Sequence, residues 1–85
     1  MATVAAIAAH LNDNYTADTS LAVIAQQALA AVEAAGQSGG AQEIERLARD
    51  GWPTGRELDL GRVEPQDESV LREAIRFAAQ AEVAS

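Results

Sequence analysis

Cysteine is absent from this 85-residue chain, and so is lysine. Without thiols there is no disulfide and no thiolate metal site. Histidine occurs once, at His10, so no second histidine or cysteine can complete a metal set. Without lysine there is no P-loop, and Gly39-Gly40 runs instead into Ala41 and an acidic helix start. Long apolar runs are missing too. The richest stretch, Leu21 to Ala35, is interrupted by Gln26, Gln27 and Glu33 and is too short to cross a bilayer. Met1 to Leu11 lacks the basic start and cleavage pattern of a signal peptide, so a soluble, intracellular protein is expected. Basic residues are few and confined. Six arginines, all between Arg46 and Arg76, face 13 acids, for a net charge of −7. That balance argues against a nucleic-acid-binding surface and against attachment to anionic membranes.

Alanine fills the space these absences leave, at about a quarter of the chain. Arginine used without lysine on such a background suggests a GC-rich genome. Alanine favours the helical backbone but contributes little to a core. Each core position filled by Ala instead of Leu forgoes roughly 2 kcal/mol, at about 0.8 kcal/mol per methylene. A chain of this length makes one domain, residues 1–85, near the lower limit for a self-sufficient core. With disulfides and metals excluded, protein partners, copies of itself included, become the expected support.

The pattern along the chain is helical. Thr3 can cap a short helix whose Val4, Ile7, Ala8 and Leu11 form one stripe, ended by Asn12-Asp13-Asn14. Thr16 or Asp18 can cap a second, with Leu21, Ile24, Ala25, Ala28, Val32 and Ala35 on one face and Gly36 as its left-handed terminator. Gln37-Ser38-Gly39-Gly40 reads as a flexible turn. A third helix, about Ala41 to Asp50, turns Ile44, Leu47 and Ala48 inward and ends at Gly51-Trp52-Pro53-Thr54-Gly55. Residues 56–64 read either as a short extended segment or hairpin or as an irregular loop, with Leu58 and Leu60 alternating and Gly61 weakening the strand. Pro65 opens the final helix, with Gln66, Asp67 and Glu68 in its first turn and Val70, Leu71, Ala74, Ile75, Phe77, Ala78 and Ala81 on its apolar face. Arg72 and Arg76 lie one turn apart on another side. The expected fold is an all-α, small four-helix domain, its two longest helices antiparallel and closely packed through alanine.

No constellation carries catalysis. His10 has no Ser-His-acid partners in view and reads as half-buried or surface. Asp67-Glu68 at a helix start reads as a dipole pair rather than an acid/base couple. Asp18-Thr19-Ser20-Leu21 approaches the Asp-Ser-Leu attachment motif of acyl carrier proteins. Thr19 intervenes, however, and too few residues precede Ser20 for that family's long first helix, so a capped helix start is preferred. An enzyme, a cofactor and a small-molecule substrate are therefore not expected. Trp52, in a Gly- and Pro-bounded turn, either plugs the core or anchors a partner. Arg46, Arg49, Arg56 and Arg62 surround it in sequence, and Arg with Trp is the pair enriched at interface hot spots. These five are the candidate partner-binding residues, set against ordinary pairing of the arginines with Glu43, Glu45, Glu57 and Glu64.

The layout as a whole resembles a family. Val4–Leu11 followed by Asn12-Asp13, then Leu21–Ala35, a variable loop, and the Pro-led helix Pro65–Ala79 are similar to the tailed-phage head–tail connector (adaptor) proteins. The similarity is one of helix order, without a shared motif. It implies a homo-oligomeric ring between portal and tail proteins, found in the virion or in the bacterial cytoplasm before assembly. An acidic inner wall would let DNA pass without sticking. The rival expectation is a small acidic inhibitor or antitoxin-like binding protein, its charge complementing a basic target.

Overall fold

The computed structural model describes residues 2–53 and 63–84. Its elements, in order, are α1 (Val4–Asn14), α2 (Leu21–Asp50), a 3-10 turn (Pro65–Asp67) and α3 (Glu68–Ala84). The class is all-α, and no strand occurs among the described residues. The extended segment or hairpin considered for residues 56–64 lies outside the described residues except for Val63 and Glu64, which belong to neither helix nor strand.

The α1 cap is as the sequence implies: the Thr3 hydroxyl accepts from the Ala6 N–H at 3.0 Å. The helix carries on through Asn12 and Asp13 to Asn14, whose amide donates to the His10 carbonyl at 2.8 Å. Tyr15, in extended geometry, then closes it. Ile7 and Leu11 are fully buried.

The helix count differs from expectation. Among the described residues there are three α-helices rather than four, because the expected second and third are one bent element, α2. Gly36 does not terminate anything; the helix runs through Gln37 and Ser38, and the single non-helical residue is Gly40, at φ 66 and ψ −157. One glycine in that region turns the chain without needing a loop. Gly36 has a different use. A Cβ there would lie 3.0 Å from Ile44 Cδ1, so its missing side chain lets the limb 41–50 fold back against the limb 21–39.

The cap of α2 also differs. Ser20 occupies the N-cap without a side-chain hydrogen bond, and Thr16 and Asp18 lie outside it. Asp18 and Thr19 serve another purpose. Their backbone N–H groups donate to the Asp67 carboxylate at 3.3 and 2.9 Å, and the Gln66 amide donates to Asp18 at 2.7 Å. Asp67 is the buried charged side chain of the described residues, 2% exposed. The Thr19 side-chain hydrogen bond, joined by the Thr19 and Asp18 backbone N–H groups, holds its pKa below the usual carboxylate value against the opposing effect of burial. This carboxylate stitches the entry to α2 onto the entry to α3.

From that stitch the limb 21–39 runs alongside α3 in the same sense, and Glu33 and Gly36 arrive beside Glu82. Only the limb 41–50 is antiparallel to α3, returning so that the Gln80 amide donates to the Ala48 carbonyl at 3.0 Å. The expected antiparallel packing of the two longest helices is therefore not met: the limb holding Leu21–Ala35 is parallel to α3, because Asp67 ties their starts together, and the antiparallel neighbour is the limb expected as a separate, shorter helix. Between these elements Ala25, Ala28, Ala74, Ala78 and Ala79 have no exposed surface, so the helices meet nearly backbone to backbone. Ile7, Leu11, Ile24, Leu47, Leu71 and Ile75 supply the volume. The shortest dimension is 18 Å, about two helix diameters.

Candidate functional site

Gly51 ends α2 with φ 74 and ψ −169, its N–H donating to the Leu47 carbonyl at 2.8 Å. It sits against α3: a Cβ built on it would be 3.8 Å from the Arg72 carbonyl and from Arg76 Cβ. The next residue, Trp52, is thereby held beside the middle of α3. It is half-buried and packs against the core cluster. Its surroundings form an open cleft of about 420 Å³ lined by Tyr15, Asp50, Gly51, Trp52, Ser69, Arg72, Glu73 and Arg76. Trp52 therefore has a share in the core and a share in the cleft wall.

Among the described residues, Arg46 and Arg49 are not the arginines that line this cleft. Arg46 is fixed one turn back on α2 by a two-pronged bond to Glu43, whose second contact is 3.1 Å, and it does not line the cleft. That side-chain hydrogen bond to Glu43 raises the Arg46 pKa. Arg49 is exposed and reaches the neighbouring Asp50 at 3.3 Å. Arg56 and Arg62 lie outside the described residues. Arg72 and Arg76 from α3 line the cleft instead. Their spacing of one turn was visible in the sequence; that Trp52 and Tyr15 would stand opposite them was not.

Each cleft arginine has an acid from its own helix. Glu73 grips Arg76 with two contacts, one of 3.0 Å, and this bond raises the Arg76 pKa against its partial desolvation. Arg72 reaches Glu68 at 3.4 Å, while its Nε is buried without a hydrogen-bond partner. His10 stacks flat on Phe77, with ring centroids 4.3 Å apart and planes 13° from parallel. Its Nε2 lies 3.7 Å from Glu73 Oε1, beyond hydrogen-bond length. His10 is half-buried, one of the two placements expected, half-buried or surface. The cleft thus brings together a half-buried Trp, a Tyr and two arginines that each have a glutamate partner on their own helix. Among the described residues no three His, Asp or Glu side chains are grouped to hold a metal ion, and no helix is long and apolar enough to cross a membrane.

No family model, curated protein or solved structure matches this chain. The site accordingly rests on its own geometry.

Proposed function

We propose that this chain is a structural or interaction protein rather than an enzyme, and that a protein partner docks in the Trp52 cleft. The observation that carries this reading is the meeting of Trp52, Tyr15, Arg72 and Arg76 in one open hollow. Tyr, Trp and Arg are the residue types that dominate binding energy at interfaces. The arginines are already charge-balanced by Glu68 and Glu73, so a partner can bury them without bringing a full complement of acids. Scarcity of large core side chains gives the same conclusion from another direction: a lightly packed domain gains most from association.

The resemblance in helix order supports a specific form of this reading, a subunit resembling a phage head–tail connector, assembled in a ring with portal or tail proteins. Co-purification from cells with portal or capsid protein is the expected result, identified by mass spectrometry. Capture of neither protein would remove the virion reading. The net charge of −7 supports a second reading, a small acidic inhibitor of a basic protein. A neighbouring toxin or nuclease gene, with that product co-purifying instead, would favour it.

A further inference from the structure

A second open groove lies at the end of the molecule where α2 bends. Leu29, Val32, Gly36 and Ile44 contribute apolar floor to a hollow of about 540 Å³, with Glu33 and Glu82 at its edge. Through Ile44 and Glu82 it continues into an adjoining hollow of about 260 Å³ bounded by Glu45 and Val83. Val83 is 52% exposed, the most exposed large apolar side chain among the described residues. The absent side chain of Gly36 and the fold-back at Gly40 open this surface, so it is a product of the bend.

Its chemistry is one-signed. Every charged residue lining the two hollows is a glutamate: Glu33, Glu45 and Glu82. Glu33 and Glu45 are exposed and enter none of the ion pairs among the described residues. A strip of aliphatic surface between carboxylates complements an amphipathic helix with aliphatic residues at i, i+3/i+4 and i+7 and Lys or Arg on its flanks. A second copy of this chain is a poor match. Its net charge is −7, its first 45 residues contain neither Lys nor Arg, and Arg46, Arg49, Arg72 and Arg76 are engaged by Glu43, Asp50, Glu68 and Glu73. An anionic lipid surface would be repelled.

We propose that this groove docks a basic amphipathic helix of a different protein. The site is distinct from the Trp52 cleft, so the two stand or fall separately. The test uses the full chain and a fluorescein-labelled synthetic helix with a Leu stripe flanked by Lys and Arg, read by anisotropy. A control peptide carries Glu at each basic position. The basic peptide is expected to bind with micromolar affinity that weakens with salt, and the acidic control not to bind. Val83→Asp, at an exposed position that leaves the core intact, and Glu33→Arg with Glu45→Arg should each weaken binding about tenfold or more. Trp52→Ala should leave it unchanged. Amide shifts in NMR should gather on Leu29, Val32, Ile44 and Val83. Equal affinity for both peptides, no binding of the basic one, or shifts centred on Trp52 would overturn the proposal. So would a concentration-dependent dimer in ultracentrifugation that Val83→Asp abolishes, since a second copy would then be the occupant.

Discussion

A carboxylate removed from water must be met by donors or be neutralised, and Asp67 is met by three from the segment that precedes α2. Because those donors favour its ionised form, the folded-state pKa lies below the unfolded value of about 3.9. The resulting stabilisation is complete above that unfolded value and is lost as the pH falls through the lower folded one. Thermal melts followed from neutral to strongly acidic pH should therefore show an acid-side decline that Asp67→Asn flattens. The same substitution should lower the melting temperature at neutral pH, since the amide offers one acceptor where the carboxylate offers two. Trp52 presents a different balance. Half-buried, it should cost about 1–2 kcal/mol on truncation to Ala, below the roughly 3–5 kcal/mol of a fully buried ring. Urea titration measures that loss. Partner capture by the same variant should fail, which separates anchoring from core support.

The bend in α2 depends on glycines that are not equivalent. Gly40 holds φ 66 and ψ −157, a region essentially closed to other residues, so Gly40→Ala should destabilise by about 1–3 kcal/mol. At Gly39 a Cβ would fall 2.6 Å from Glu43 Cβ, an atom tied to the backbone, and substitution there should also be unfavourable. Gly36 is helical, and alanine gains up to about 1 kcal/mol of helix propensity over glycine. The contact it would make, with the end of the Ile44 side chain, borders the open groove and can yield. The crowding against Ile44 still offsets that gain, so Gly36→Ala should change stability far less than Gly40→Ala when both are compared by chemical denaturation. Reading the sequence alone places the terminator at Gly36 because it is the first glycine after the apolar stripe. Local order cannot tell a glycine kept for its backbone angles from one kept for closeness to a neighbour.

Helices joined through alanine leave little margin for the molecule as a whole. A single core of this size supplies about 3–5 kcal/mol, and one misplaced charge can exceed it. Leu71, 1% exposed on the inner face of α3, is the direct probe. Leu71→Asp should abolish the cooperative melt and the helical circular-dichroism signal, whereas Val83→Asp on the outer face should preserve both. A melt unaltered by Leu71→Asp would mean that α3 is turned the wrong way.

Helical class, the apolar stripes, the Thr3 cap and the stop at Gly51 were legible because each depends on residues within a turn or two of one another, whereas the start expected at Pro65 is a 3-10 turn that gives way to α3 at Glu68. The Glu43–Arg46 and Glu68–Arg72 pairs carry the same local sign in their i, i+3 and i, i+4 spacing, but Glu45 and Arg49, spaced alike, do not pair, since Arg49 turns to the adjacent Asp50. The anchor from Asp67 to Asp18, 49 positions away, had no local sign beyond an acid at a helix start. The company of Trp52 was equally hidden: Arg72 and Arg76 come to it through the docking of α3, not through proximity along the chain. The groove at the bend exists only because two limbs of one helix fold back on each other. Short-range geometry is written in residue order, while the surfaces available for binding are settled by which distant faces the packing brings together.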